Sequence, residues 1–493
     1  MTELFSVQGI LALLLGGLYG AIFGAIPGLT ATLAIALFIP IAFFLDPAIA
    51  LPAIIAISSV AIFAGDVGST VARIPGTPAS AAYFDKLFGL SRKEGPLYAL
   101  GLSAIGSAVG GIIGSLLLIL TASAIVTLAR QFSSFEYFWI AVLGLTAGVF
   151  ASGGSTLKSL VSLLLGILFS TVGVDPTLGF PRFNFGSTQL MGGLNYIVAM
   201  IGLFGFSEVL NHLFNPGRHF DVELKTQRSA RAFFIKPLLL IVKKKWLVIR
   251  SSLVGVLVGF LPGAGADIGS WVSTSLEKIR QRGKSDDVAD DEIILSGTSS
   301  NNAAVASAWI PALSLGLPGD TVTAIVLGVF MMKGISPGPL LFDQQPGLIM
   351  SLYLTFIISN LLLLPFYGYL SALMAKRLIK TPMPLLLTVV TALCMVGAYA
   401  INNDVRDIWI MGGMGMLAFL LQRGGFPLAQ VVLGMVLGPI LEQNFMVSAI
   451  KSKWNMMSFF DRPVALILMA CTLIIIVVGV RYGKRFTAGS DGS

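Results

Sequence analysis

Gly20-Ala-Ile-Phe-Gly24-Ala-Ile-Pro27-Gly28 and Gly255-Val-Leu-Val-Gly259-Phe-Leu-Pro262-Gly263 are two copies of one phrase, each set deep in an apolar stretch. A second pair follows them at a similar distance, Ile74-Pro75-Gly76-Thr77 in the first half and Leu317-Pro318-Gly319-Asp320 in the second. Proline and glycine interrupt a helix, and inside a membrane an interruption leaves backbone groups that need partners. When broken apolar segments recur in both halves of a chain, they are the best sequence-level pointer to a transporter's binding site.

The rest of the composition agrees with a membrane location. Of the 493 residues, 11% are charged and 55% hydrophobic, a balance that no soluble globule of this length can bury. Apolar runs such as Leu100–Leu128, Leu348–Tyr369 and Val464–Val480 suit a hydrocarbon core that a helix of about 20 residues crosses. The expected fold is an all-α polytopic membrane protein of about 10–14 membrane helices, broken or re-entrant segments included. The opening Met-Thr-Glu-Leu-Phe-Ser has no basic n-region, so no removable signal peptide is expected.

Several function classes find no support. There is no Gly-Xaa4-Gly-Lys-Ser/Thr phosphate loop and no nucleophile elbow, so neither an ATPase nor a hydrolase is expected, and no cofactor is called for. Cys394 and Cys471 lie far apart in apolar helical stretches and read as buried free thiols. His212 and His219 sit beside the central loop and read as surface residues, with no metal-ligand spacing around them. The net charge of +8 reads as a topology signal and as affinity for a bilayer surface, not for nucleic acid.

The densest basic block, Arg218 to Arg250, contains Lys225, Arg228, Arg231, Lys236 and Lys243-Lys244-Lys245. It divides the chain into a first repeat half (1–215), a basic cytoplasmic connector (216–250) and a second repeat half with a C-terminal helix (251–493). Basic residues return soon after, at Lys278, Arg280, Arg282 and Lys284. If both flanks are cytoplasmic, the segment around Pro262-Gly263 enters the membrane and returns, with arms of about 12 to 16 residues that are too short to span. The matching segment of the first half, from the N-terminus to Asp46, carries no basic flank. Opposite flanking charge on matching segments predicts two repeats inverted in the membrane; the plainer alternative is two ordinary helices joined by a Pro-Gly turn.

The polar residues cluster around the second breaks. Asp66, Ser69, Thr70, Arg73, Thr77 and Ser80 lie there in the first half, and Ser299, Asn301, Asn302, Asp320, Thr321 and Thr323 in the second. A helix that starts after a break presents unpaired N–H groups and a positive dipole end, which attract a carboxylate. The carbonyls freed at Pro27-Gly28, Pro75-Gly76, Pro262-Gly263 and Pro318-Gly319 supply oxygens for a cation such as Na⁺. Ser69, Thr70, Thr77, Ser80, Ser299, Asn301, Asn302 and Thr321 are therefore the expected substrate contacts, with helix capping and interhelical hydrogen bonding as the alternatives. Arg73 is either a fork for a carboxylate or the partner of Asp66 or another acid. Asp66, Asp267 and Asp320 each stand at a break and serve either as cation or proton sites or, for the last two, as helix caps. Lys158 and Arg182 read as residues snorkelling to the interface. Gly424-Gly425-Phe426-Pro427-Leu428-Ala429 reads as a loop of the scaffold.

Taken in order, Ala25-Ile-Pro-Gly28, Ile74-Pro-Gly-Thr-Pro-Ala79, Gly179-Phe-Pro-Arg-Phe183, Phe260-Leu-Pro-Gly-Ala-Gly265, Asn301-Asn-Ala-Ala304, Gly316-Leu-Pro-Gly319, Gly334-Ile-Ser-Pro-Gly-Pro-Leu-Leu-Phe342 and Gly425-Phe-Pro-Leu-Ala429 cover nearly the whole chain. Each phrase is weak alone, but the ordered set resembles the large membrane subunit, TctA-like, of the tripartite tricarboxylate transporters. The resemblance implies a bacterial inner-membrane permease, not an enzyme. It implies a small membrane subunit and a periplasmic solute-binding protein as partners, and uptake of a di- or tricarboxylate on a Na⁺ or H⁺ gradient. Arg73, Asp66 and Asp320 depart from what that family leads one to expect at their positions, which leaves the particular acid open. A homodimer is compatible with this reading. Alternating access of an elevator-like kind, with the broken segments as the moving unit, is the expected mechanism. A passive anion channel or a carrier independent of a binding protein is the alternative.

Overall fold

The computed structural model describes residues 3–26, 29–151, 155–175, 177, 179–214, 229–261, 265–281, 286–379 and 381–487. Helices account for nearly all of them: α1 (Val7–Ala25), α2 (Ala31–Phe44), α3 (Pro47–Ala72), α4 (Phe84–Glu94), α5 (Pro96–Ala129), α6 (Ser134–Ala151), α7 (Thr156–Ser170) and α8 (Tyr196–Phe214) in the first half. The second half contributes α9 (Lys236–Lys243), α10 (Lys245–Gly259), α11 (Gly265–Arg280), α12 (Asp286–Leu315), α13 (Thr321–Met332), α14 (Pro346–Leu378), α15 (Met383–Asn402), α16 (Val405–Arg423), α17 (Leu428–Lys451) and α18 (Pro463–Thr487). A two-stranded ribbon pairs Gly173–Val174 with Pro181–Arg182. Eight of the described helices are long and apolar enough to cross a membrane, and four more are apolar but shorter. The chain is thus a multi-pass helical membrane protein.

Burial separates a core from a rim. In the most apolar stretch of α3, 89% of the residues are buried, whereas in those of α15 and α18 the shares are 22% and 11%, and Leu, Ile and Val face outward. A helix that is hydrophobic all round and exposed is suited to lipid, one that is buried to a bundle centre. Cys471 follows from this: it is exposed on α18, against the expectation of a buried thiol, while Cys394 is buried on α15.

The glycines of the repeated phrase explain the centre. A Cβ on Gly20 or Gly24 would lie 2.6 Å from the carbonyl oxygen of Ile57 or 2.3 Å from that of Ala61, so α1 and α3 touch backbone to backbone. On α10, Gly255 and Gly259 meet the carbonyls of Ser300 and Ala304 on α12 in the same way, at 2.1 and 2.3 Å. Both contact pairs advance by one helical turn in the same direction, so in each half the first helix runs parallel to the long one. Small residues permit this close approach, which in lipid supplies the van der Waals packing that the hydrophobic effect cannot.

The α1–α2 pair has arms of 19 and 14 residues, the α10–α11 pair arms of 15 and 16. Their tips, Pro27-Gly28 and Pro262-Gly263, lie outside the described residues. The outer ends of the two pairs are held by different partners. At the foot of α2, Lys333 donates to the carbonyls of Phe43 and Leu45. At the foot of α10 and α11, Lys244 pairs with Glu292 and Arg250 with Glu277. The 34-residue α5 is anchored at both ends, with Tyr98 donating to Asp291 near its start and Arg130 paired with Asp343 just past its finish.

Candidate functional site

The second breaks are built alike. In the first half the Gly76 backbone lies against Gly65 of α3, and in the second the Gly319 backbone lies against Ala308 of α12; a Cβ on either would be within 2.7 Å of backbone atoms. Each turn then closes on itself. Ser80 donates its N–H to the Thr77 hydroxyl and Thr77 donates its N–H to the Ser80 hydroxyl, both at 3.1 Å. Asp320 and Thr323 form the matching pair: the Thr323 N–H donates to Asp320 Oδ1 at 2.7 Å, and the Asp320 N–H to Thr323 Oγ1 at 2.8 Å. Such reciprocal caps satisfy N–H groups that a helix start leaves unpaired. Thr77, Ser80 and Asp320 thus hold the backbone of the breaks, and Thr321 is the first residue of the helix that follows.

A cavity of about 460 Å³ lies beside these turns, within the range of roughly 300–1,000 Å³ that small-molecule pockets occupy. Thr30, Thr32, Pro78, Asp267 and Thr321 line it from the broken segments, and Ser155, Glu208, Gln422 and the Gly425–Ala429 loop from the opposite side. Five helices begin at this wall. Thr30 caps α2 by accepting from the Leu33 N–H, Asp267 is in the first turn of α11, Thr321 opens α13, Ser155 precedes α7, and Leu428 opens α17. Each start carries roughly half a positive charge. The segments are tied across the chain: Thr32 and Thr321 share a hydrogen bond at 3.2 Å, the Ala79 N–H donates to Asp267 at 3.0 Å, and Trp271 Nε1 donates to the Pro78 carbonyl at 3.0 Å.

The sequence-level residues fall into separate places. Asp267 and Thr321 reach the cavity wall, and Thr77, Ser80 and Asp320 shape the turns behind it. Ser69 donates to the Ile74 carbonyl, Thr70 to the Asp66 carbonyl and Ser299 to the Leu295 carbonyl, all within their own segments. Asn302 donates to Asn360 of α14 at 3.3 Å, and Asn301 lies against the Tyr83 hydroxyl; both are buried away from the cavity wall. Asp66 is buried and accepts from Tyr83 and Ser103. Arg73 points away, 62% exposed, and pairs with Asp85 at 2.7 Å, so the other-acid alternative for its partner is the one realised. It also ends α3 in the left-handed region, at φ 58°.

Residues outside the breaks have partners of their own. Arg182 has protein partners that its sequence position did not suggest: it makes a two-pronged pair with Glu442, with Asp175 at 3.7 Å, and so fixes the short ribbon to α17. Lys158 donates to the Gly424 carbonyl at 2.7 Å, capping the end of α16. His212 is half-buried and sits 3.2 Å from Glu208 one turn earlier, whereas His219 lies outside the described residues. The Gly425–Ala429 loop is part of the cavity and not only scaffold. Among the described residues, no His, Cys, Asp and Glu cluster has the makings of a metal centre.

The residues that sequence reasoning passed over were Thr30, Thr32, Ser155, Glu208 and Gln422. Glu208 had a signal, as the lone carboxylate of an apolar run from Tyr196 to Leu210. Thr30 and Thr32 had one as well, immediately after the first Pro-Gly break.

A polytopic helical protein whose polar residues and helix starts gather at breaks in the bundle has the architecture of a membrane transporter. The chain matches the Tripartite tricarboxylate transporter TctA family over residues 10–433, and it belongs to that family. It is 32% identical over 487 residues to an Agrobacterium vitis protein described as an uncharacterized 52.8 kDa protein in the TAR-I ttuC' 3'region, covering 97% of this chain and 94% of that one. A second protein of the same organism, described as an uncharacterized protein in the TAR-II ttuC' 3'region, is 33% identical over 233 residues, 46% of this chain and 93% of the relative. No solved structure gives a significant match.

Proposed function

We propose that this chain is the membrane permease of a three-component uptake system of the bacterial inner membrane, importing a small di- or tricarboxylate on an ion gradient. A small membrane subunit and a periplasmic binding protein complete it. The observation that carries the reading is the gathering of five helix starts, from both halves of the chain, around one cavity of about 460 Å³. One helix start favours an anion by roughly 0.3–1 kcal/mol at an exposed site and up to about 2 kcal/mol when partly buried. Several acting together favour a multiply charged acid over a neutral solute, and Thr30, Thr32 and Thr321 add hydroxyl donors.

The shared construction of the halves supports alternating access. We read α1–α2–α3 with its following break, and α10–α11–α12 with its own, as inverted repeats that move as a unit against α6–α7 and α16–α17. The cavity lies on the seam between these two groups, where relative motion exposes it to one side and then the other. Lys243-Lys244-Lys245, at the foot of α10, sets the cytoplasmic end by the rule that positive loops stay inside.

The test is uptake of labelled di- and tricarboxylates by cells expressing the chain with its small membrane subunit, with and without the binding protein. Uptake that needs the binding protein and stops when the ion gradient is collapsed supports the proposal. Uptake without the binding protein makes the chain a stand-alone carrier, and uptake indifferent to the gradient makes it a channel.

A further inference from the structure

We infer that Asp66 is the proton-binding group of this transporter and that Tyr83 passes its protonation state to Asn301, in the other half of the chain. The inference rests on the transport reading above and names its coupling ion.

Asp66, on α3, is 1% exposed. Its two carboxylate oxygens accept from the Tyr83 hydroxyl at 3.1 and 3.0 Å, and one accepts from the Ser103 hydroxyl of α5. None of the ion pairs among the described residues includes it. Tyr83 is in contact with it, and Asp267 of α11 acts on Tyr83 from beyond. Asp85 and Lys86 of α4 are turned elsewhere, to Arg73 and Asp290, and Lys278 of α11 donates to the Ala82 carbonyl beside Tyr83, not to Asp66. From α5 and α12 the neighbouring polar groups are a hydroxyl and an amide, Ser103 beside Asp66 and Asn301 beside Tyr83.

A buried carboxylate with no cation beside it is expensive to keep ionised. Sodium has to sit between its oxygen ligands, and here the hydroxyl and carboxylate oxygens are already in hydrogen-bond contact. A proton binds without spreading them. It passes from a hydronium ion to one Asp66 oxygen, one O–H bond breaking as the other forms and a water molecule leaving.

That addition reverses a hydrogen bond. Ionised Asp66 accepts from Tyr83; protonated Asp66 donates to the Tyr83 oxygen, which frees the tyrosine hydrogen to turn away. Asn301, 2% exposed, touches the Tyr83 oxygen through its side-chain amide, and a half-turn of that amide presents its buried, unpartnered Oδ1 to the freed hydrogen. A buried carbonyl without a donor carries a penalty of about 1–3 kcal/mol. Proton binding on α3 thereby supplies a donor to α12, linking the two long helices that carry the breaks.

Infrared difference spectroscopy on the purified full chain, titrated with pH, tests the site without a substrate. The expected result is a carboxylic-acid C=O band that titrates in the wild type, is missing in Asp66→Asn, and moves in frequency and midpoint in Tyr83→Phe. Identical bands in wild type and Asp66→Asn would overturn the assignment. Uptake of the acids transported by the wild type then tests coupling: the rate should rise as the outside pH falls, lose that response in Asp66→Asn, and recover it in Asp66→Glu. A wild type driven by Na⁺ and indifferent to pH, or an Asp66→Asn variant with the wild-type pH response, overturns the coupling role. If the wild type with its partners transports no carboxylate at all, the transport reading fails, and the infrared band alone decides whether Asp66 holds a proton.

Discussion

The carboxylate of Asp267 accepts the backbone N–H of Ala79 at 3.0 Å, joining the second repeated hairpin to the second break of the first half. Ala79 is fully buried, so this N–H has no recourse to water. Removing the acceptor leaves a buried donor unpaired, at a cost of about 1–3 kcal/mol. Asp267→Ala should therefore lower the thermal stability of the detergent-purified protein and reduce uptake. Asp267→Asn keeps an acceptor oxygen and should retain most of the stability. Fluorescence-detected thermal melts of the two variants check this, and equal melting temperatures would show that the link does not hold the break in place.

Close backbone packing makes a second, sharper expectation. Gly24→Ala and Gly259→Ala each place a methyl about 2.3 Å from a carbonyl oxygen on the neighbouring long helix, where the clashing atom is backbone and cannot turn aside. Overpacking of this kind costs about 1–3 kcal/mol. Gly89→Ala, on α4, has nothing within 4 Å of the added carbon and serves as the control. Melting temperatures should fall for the first two and hold or rise slightly for the third, since alanine is the better helix former.

These glycines also show how much of the molecule was legible in the sequence. Their recurrence before Pro-Gly was visible in the sequence, and the α1–α3 and α10–α12 contacts account for it, because a close helix contact demands small residues at a fixed spacing. The caps at Thr77 and Asp320 were legible for a similar reason, being local to a few residues. The cavity's far wall was not. Ser155, Gln422 and Phe426 reach it only because α7 packs on α17 and the starts of α7 and α17 meet, a long-range relation that no local pattern encodes. Arg73 was misleading because it stands near a break in sequence, while its left-handed backbone turns the side chain outward to Asp85.

Arg73 accordingly gives a negative prediction. An exposed ion pair contributes about 0–1 kcal/mol at most, and the guanidinium does not line the cavity. Arg73→Gln should leave the apparent KM for the transported acid and the melting temperature unchanged. A rise in KM of tenfold or more would return Arg73 to the substrate site.

Thr321 gives the opposite one. Its hydroxyl stands at the first position of α13, on the cavity wall, and meets Thr32 of α2 at 3.2 Å. Thr321→Val preserves the shape of the side chain and the cap made by Asp320 and Thr323, but removes a donor to an anionic ligand. Hydrogen bonds to charged groups contribute about 1.5–3 kcal/mol, which corresponds to roughly a 10- to 100-fold loss in affinity. The apparent KM should rise by that factor while membrane abundance and melting temperature hold. Thr32→Val should act in the same direction, and because the two hydroxyls share a hydrogen bond, the double variant should lose less than the product of the single losses. Concentration-dependent uptake for the four proteins measures this, and an unchanged KM in both single variants would place the bound acid elsewhere in the molecule.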